Sequence, residues 1–134
     1  MPIDLTQGVR EDLRALRRDD PDAFAAVIVF IEEAAVDEAL IWNCTHDQDL
    51  HLTSTRVGVK RWVAAEHTIG NLFRVRIFDT PATVYRVIYG LDWQAGRIGL
   101  LAIAHKDQFN YEVTGEFADR IYADWHCATD GRCP

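Results

Sequence analysis

Six residues between positions 74 and 111 have side chains that could bind and transform a phosphate-bearing ligand. Arginine suits such a ligand because its planar guanidinium can hold two phosphate oxygens and stays charged. Histidine is the natural acid or base near neutral pH, because its unperturbed pKa is ~6.5. A tyrosine ring can stack on a nucleobase, and its hydroxyl can donate a proton. The candidates are Arg74, Arg76, Arg86, His105, Lys106 and Tyr111.

The charge along the chain is segregated, and the candidates lie in its basic middle segment. Residues 1–50 hold 4 Lys and Arg against 12 Asp and Glu, a net of −8. Residues 51–111 hold 8 against 4, a net of +4, and residues 112–134 hold 2 against 5, a net of −3. The overall balance of −7 argues against generic nucleic-acid binding, whereas the middle segment favours it locally. The alternative is an ordinary solvated surface.

The arginines lie on predicted strands, which would hold them on a rigid surface. Residues 72–78 alternate apolar and basic side chains, so Arg74 and Arg76 share one face of a strand. Residues 83–89 are rich in β-branched and aromatic side chains and predict a second strand. On that strand Arg86 shares a face with Val84 and Ile88, which an arginine without a role would avoid, and this indicates a specific role. The alternative is that Arg86 only pairs with a carboxylate, for example that of Asp79 or Asp107.

The other elements predict a single α+β domain over residues 1–134. Two amphipathic helices, from Thr6 or Gln7 and from about Pro21, form an N-terminal helical hairpin that packs on a small antiparallel sheet. The apolar run at residues 98–104 predicts a central strand that ends at His105, with a C-terminal helix from about residue 114 to Trp125. A short strand at residues 3–5 is a further possibility. Residues 41–70 predict irregular structure with at most one short strand or turn, and residues 126–134 a disordered tail.

No signal peptide or membrane-spanning segment is recognisable, so a cytoplasmic protein without a membrane partner is expected. The odd number of cysteines, Cys44, Cys127 and Cys133, favours reduced thiols. His46, His51, His67, Asp47 and Asp49 follow no metal-ligand spacing, so neither a metal nor another cofactor is expected.

Several short motifs, taken in order, resemble the RelE/ParE superfamily of bacterial type II toxins. The family's sheet contains a basic strand, a "YRVxY" strand and a strand that ends in histidine and a basic residue. The matching stretches are Glu11-Asp12-Leu13-Arg14-Ala15-Leu16 in the first helix, Phe73-Arg74-Val75-Arg76, Tyr85-Arg86-Val87-Ile88-Tyr89, and Leu101-Ala102-Ile103-Ala104-His105-Lys106-Asp107 followed by Tyr111.

The resemblance implies a toxin that is paired with a cognate antitoxin protein and cleaves mRNA, usually on the ribosome, to inhibit translation. It implies catalytic roles for Arg86, His105 and Tyr111, and RNA phosphate binding by Arg74, Arg76 and Lys106. Metal-free cleavage needs a base for the 2′-hydroxyl, cations for the charge that builds on phosphorus, and an acid for the leaving 5′-oxygen.

Two alternatives belong to other functional classes. A ParE-like toxin would bind DNA gyrase and catalyse nothing, so it would not need an acid or a base at His105 or Tyr111. An inactive relative would serve as a binding module, which the acidic balance of the chain favours.

Overall fold

The computed structural model describes residues 3–42, 47–66, 68–109, 112 and 114–130, which form an α+β fold. The helices are α1 (Gln7–Asp19), α2 (Pro21–Val36), α3 (Glu38–Trp42) and α4 (Glu116–Asp130). The strands are β1 (Ile3–Leu5), β2 (Gln48–His51), β3 (Arg56–Arg61), β4 (Leu72–Ile77), β5 (Tyr85–Asp92) and β6 (Arg97–His105). Short 3-10 helices cover Val63–Ala65 and Pro81–Val84. The predicted fold class is confirmed.

The helices α1 and α2 form the predicted N-terminal hairpin, and local capping sets their limits. The Thr6 hydroxyl accepts a hydrogen bond from the Val9 amide, which caps α1, and donates to the Leu100 carbonyl at 2.9 Å, which ties this end of α1 to β6. One residue, Asp20, separates the helices; its carboxylate accepts from the Ala23 amide at 3.2 Å, and Pro21 begins α2.

The strands form one six-stranded sheet in the order β1-β6-β5-β4-β3-β2. Four of its pairings are antiparallel, as expected for strands joined by short connections, and β1 pairs in parallel with β6. The possible strand at residues 3–5 is therefore confirmed, and it makes the sheet mixed rather than purely antiparallel.

The prediction for residues 41–70 is wrong in its main point. This segment contributes β2, β3 and a 3-10 helix, and the two strands extend the sheet beyond β4. Both strands are short, and the interior of β3 includes a glycine, Gly58, which weakens a strand signal. The local sequence indicates these two strands only weakly, and the pairing of β3 with β4 stabilises them.

Each face of the sheet has its own apolar core. On one face, α1 and α2 pack against β-strand side chains; this core includes Leu13, Phe30, Val75, Val87 and Ile103. On the other, α4 packs through Ile121 and Trp125 against a core that includes Leu72, Ile88 and Leu101. The two faces therefore offer different surroundings to the side chains that alternate along each strand.

The C-terminal helix is longer than predicted. It continues to Asp130, so residues 126–130, predicted as part of a disordered tail, are helical. Cys127 on this helix is disulfide-bonded, so the expectation of three reduced thiols is wrong. In the described ranges, no helix is both long enough and apolar enough to cross a membrane.

Candidate functional site

The uncovered part of the α4 face of the sheet is a groove that contains four basic side chains, here called the basic groove. Its volume is about 400 Å³. Lysine and arginine residues from three adjacent strands line it, together with polar and acidic residues in and just before the edge strand β2. The lining residues are Asp47, Gln48, Asp49, Gly58, Val59, Lys60, Arg74, Arg76, Phe78 and Arg86.

Strand register places the cations of the groove side by side. Lys60 of β3 pairs with Arg74 of β4, and Gly58 pairs with Arg76 two positions along. The alternating residues Val57, Val59, Val75 and Ile77 are buried on the opposite face, which fixes the basic residues on the groove face. Arg86 lies beside Arg76, because Val75 pairs with Val87 and these strands are antiparallel.

The guanidiniums of Arg76 and Arg86 are oriented by the short segment before β5. Nη1 of Arg86 donates to the carbonyls of Thr83 and Tyr85, both at 3.0 Å. Nε of Arg76 donates to the Thr83 hydroxyl at 3.3 Å. These acceptors are neutral backbone carbonyls and a hydroxyl, so they hold both side chains in place without forming an ion pair.

Within the described residues, neither carboxylate proposed as a partner for Arg86 is paired with it, because its guanidinium donates to backbone carbonyls. Asp79 Oδ2 lies 2.8 Å from Arg56 Nη2, and Asp107 lies beside His105, whose Nδ1 accepts a hydrogen bond from the Asp107 amide. The interpretation of Arg86 as one half of an ion pair with Asp79 or Asp107 is therefore wrong. Its position in the groove instead makes it available to a ligand.

The groove carries a positive balance in a chain that is acidic overall. Its lining includes the cations Lys60, Arg74, Arg76 and Arg86 against the carboxylates Asp47 and Asp49. Asp47 Oδ1 accepts a hydrogen bond from the Arg61 amide at 2.8 Å, which ties the start of β2 to the end of β3. A concave surface with excess positive charge concentrates anions, so the groove suits a phosphate-bearing ligand.

The structure does not bring His105 together with these arginines. His105 lies on the opposite face, in a cleft of about 380 Å³ between α1 and the ends of β5 and β6. Its Nδ1 accepts from the Asp107 amide at 3.2 Å, and its ring meets the Tyr85 ring edge-on at a centroid distance of 5.4 Å. We call this the second cleft; it is lined by Asp12, Ala15, Leu16, Asp19, Tyr85, Ile103, His105 and Gln108.

The remaining sequence-predicted residues also lie away from the groove or beyond the described ranges. Lys106 is exposed just after β6, where its amide donates to the Val84 carbonyl at 2.8 Å, and it does not line the groove. Tyr111 lies outside the described residues. Of the six candidates, the structure therefore brings together Arg74, Arg76 and Arg86.

Seven residues of the groove lining were not predicted as residues of this site: Asp47, Gln48, Asp49, Gly58, Val59, Lys60 and Phe78. Five of them belong to β2 and β3, which the sequence did not predict. The available signal was the alternation of Val57 and Val59 with Arg56, Gly58 and Lys60, the same pattern that identified β4.

Comparison of the chain with protein-family models, with curated proteins and with solved structures found no match.

Proposed function

We propose that this chain is the toxin of a type II toxin–antitoxin pair, an endoribonuclease that binds mRNA in the basic groove and cleaves it without a metal. The observation that carries the proposal is the convergence of Lys60, Arg74, Arg76 and Arg86, from three adjacent strands, on one cavity of about 400 Å³. Four cations fixed on a sheet can stabilise the negative charge of a phosphodiester and the further negative charge that builds on it during cleavage. The motif resemblance supplies the biological context.

One row across the sheet contains the carboxylate and the two guanidiniums of the proposed cleavage. Asp49 pairs with Gly58, Gly58 pairs with Arg76, and Arg86 follows beside Arg76. Neighbouring strands are ~4.8 Å apart, so Asp49 and Arg76 are separated by about two strand spacings. Because Gly58 has no side chain, the Phe78 ring and the Asp49 carboxylate both lie over its position. In the proposed complex the phosphodiester binds beside this ring, over Arg76 and Arg86.

In the proposed reaction the Asp49 carboxylate takes the proton of the 2′-hydroxyl, and the 2′-oxygen attacks phosphorus. The P–O5′ bond breaks, the 5′-oxygen leaves with a proton, and a 2′,3′-cyclic phosphate remains. Arg76 and Arg86 stabilise the charge on the non-bridging oxygens, while Arg74 holds a neighbouring phosphate. The ammonium of Lys60 is a proton donor within the groove for the leaving oxygen.

The antitoxin in this proposal is a protein whose acidic or extended segment covers the groove. Its binding would neutralise the cations and close the cavity to RNA, and a segment that orders only on binding suits this role.

A gyrase-binding toxin or an inert binding module is the second candidate, and the position of His105 favours it. In the described ranges the lining of the groove contains no histidine, the residue type most often used for acid–base catalysis. A protein that only binds its target needs the cations of the groove but neither Asp49 nor Lys60 as proton-transfer groups.

Cell-free translation of a defined message, with mapping of new 5′ ends, tests the proposal. Purified protein is expected to produce discrete cuts within translated codons, and Arg86→Gln is expected to abolish them. Arg17→Ala is the matched control, because it removes an exposed arginine of α1 on the other side of the sheet. Thermal unfolding of each variant checks that the fold is retained.

Asp49→Asn separates cleavage from binding. The variant is expected to bind RNA at least as tightly as the wild type, because it removes a negative charge, but to lose cleavage. Intact message with the wild-type protein, both on and off the ribosome, would overturn the nuclease and leave the binding candidate.

A further inference from the structure

Phe78 is an aromatic residue on the charged side of the sheet, and it is the starting point of this inference. It follows Ile77, the buried last residue of β4, so alternation directs its ring toward the groove rather than the core. The ring is only half-buried. A large apolar side chain among solvated cations costs free energy unless it is covered by the protein or by a ligand.

Gly58 allows the Phe78 ring to lie across the neighbouring strand. A Cβ at position 58 would lie 2.8 Å from Phe78 Cζ, closer than such atoms approach, and 3.1 Å from Cε2. The glycine in β3, which weakens the strand locally, thus creates the shallow floor on which the ring rests.

Two arginines flank the ring. The Cζ atoms of Arg56 and Arg76 lie 4.8 Å and 5.5 Å from the centroid of Phe78, within the range of cation–π attraction. Arg56 is further fixed by Asp79, whose carboxylate lies 2.8 Å away. The two guanidinium carbons lie over the ring, so the ring and the guanidiniums form a stacked aromatic and cationic cluster at the end of the basic groove.

We infer that Phe78, with Arg56 and Arg76, is a nucleobase-stacking subsite, and that the basic groove consequently takes single-stranded and not duplex RNA. Aromatic rings and guanidinium planes are the surfaces on which unpaired bases stack, whereas a duplex keeps its base faces covered. The inference rests on the proposed function, because the groove must bind RNA phosphates for a base to reach Phe78. The subsite adds a contact to the base, whereas the cations of the groove contact only the phosphates.

Three oligonucleotide probes of about ten nucleotides distinguish base contacts from phosphate contacts. The first is a single-stranded 2′-O-methyl RNA, which cannot be cleaved through its 2′-hydroxyl. The second has the same backbone with abasic positions, and the third is the duplex. Affinities are measured by fluorescence anisotropy for the wild type, Phe78→Leu, Phe78→Trp and Arg86→Gln.

Phe78→Leu is expected to weaken binding of the single-stranded probe about 5- to 150-fold, the effect of losing one base–aromatic stack. It should leave binding of the abasic probe unchanged, while Phe78→Trp should retain the affinity for the single strand. Arg86→Gln should weaken binding of both of these probes. The wild type should prefer the single strand to the duplex.

Equal affinity of wild type and Phe78→Leu for the single-stranded probe would overturn the stacking subsite. If Arg86→Gln still weakened binding in that case, the groove would stand as the RNA site. Unchanged binding by Arg86→Gln would instead overturn the groove as the RNA site and the subsite with it. Loss of affinity for the abasic probe in Phe78→Leu would also overturn the subsite, because it would show a general disturbance of the groove.

Discussion

Arg86 of β5 and His105 of β6 lie on opposite faces of the sheet, although their strands are direct neighbours. Arg86 pairs with Ala104, whereas His105 pairs with Tyr85, one position away. Because side chains alternate between faces, this single step places Arg86 in the basic groove and His105 in the second cleft. Two residues that the motif resemblance places in one catalytic site are therefore divided between two surfaces.

We expect His105→Ala to leave RNA affinity within about twofold of the wild type, because its ring does not reach the groove. Arg86→Ala should lower the affinity about 10- to 100-fold, the effect of removing one charge-assisted hydrogen bond. Fluorescence anisotropy with a single-stranded RNA measures both. A loss in His105→Ala as large as that in Arg86→Ala would show that the second cleft also binds RNA.

Asp12 links three elements, and its replacement by alanine should destabilise the fold by about 1–3 kcal/mol. Its Oδ2 accepts from the Ile103 amide at 2.9 Å, and its carboxylate is paired with both terminal nitrogens of Arg120, at 2.9 and 2.8 Å. The substitution leaves a part-buried amide and a guanidinium without their acceptor. Urea unfolding measures the loss, and Asp12→Asn, which keeps one acceptor oxygen, should lose less. Equal losses of unfolding free energy in Asp12→Ala and Asp12→Asn would show that the charge of Asp12 alone causes the effect.

Gly90→Ala should destabilise the protein by about 1–3 kcal/mol, as overpacking of a core does. The indole of Trp125 lies over the paired residues Gly90 and Gly99, and a Cβ at position 90 would lie 2.8 Å from its Cη2 atom. Denaturant unfolding measures the change. In a Trp125→Leu background the cost should fall, because the clash with the indole is gone, but part of it should remain, because Leu72 Cδ2 would still lie 2.8 Å from the added Cβ. An undiminished cost in this background would show that Trp125 is not its source.

The stabilising contribution of Glu33 should depend on pH. Its carboxylate accepts hydrogen bonds from the hydroxyl of Ser54 and from the amides of Ser54 and Thr55, the amides at 2.7 and 3.0 Å. Chiefly through the Ser54 hydroxyl, these bonds hold the pKa of Glu33 below its ordinary value. A lowered folded-state pKa means that the stabilisation is complete above the ordinary pKa and is lost as pH falls through the lowered one.

The pH dependence of the Glu33 contribution is checked by measuring the free energies of unfolding of the wild type and Glu33→Gln from neutral to acidic pH. The wild type should be the more stable at neutral pH, and the difference should shrink below the ordinary pKa of a glutamate. A difference that did not change with pH would mean that the charge of Glu33 plays no part in holding the β2–β3 turn against α2.

Local sequence was sufficient for the elements with strong periodicity and clear end signals. Thr6, Asp20 and Pro21 mark the ends of α1 and α2, and the alternation around Arg74 predicts β4, because caps and alternation act between residues close in the chain. The short strands β2 and β3 carry weak local signals and exist through pairing with β4. Lys60 on β3 was therefore not predicted as a site residue, whereas the alternation that predicts β4 already places Phe78 on the face of Arg74 and Arg76.

The amino-acid sequence by itself determined which side chains share a face within each strand, and so it grouped Arg74 with Arg76 and Arg86 with Ile88. Only the tertiary structure decided how those faces combine. Strand register sets which residue of one strand lies beside which residue of the next, and the packing of α1, α2 and α4 decides which face is covered. Register and packing depend on contacts between residues far apart in the chain, which is why the arginines meet in one groove and His105 does not join them.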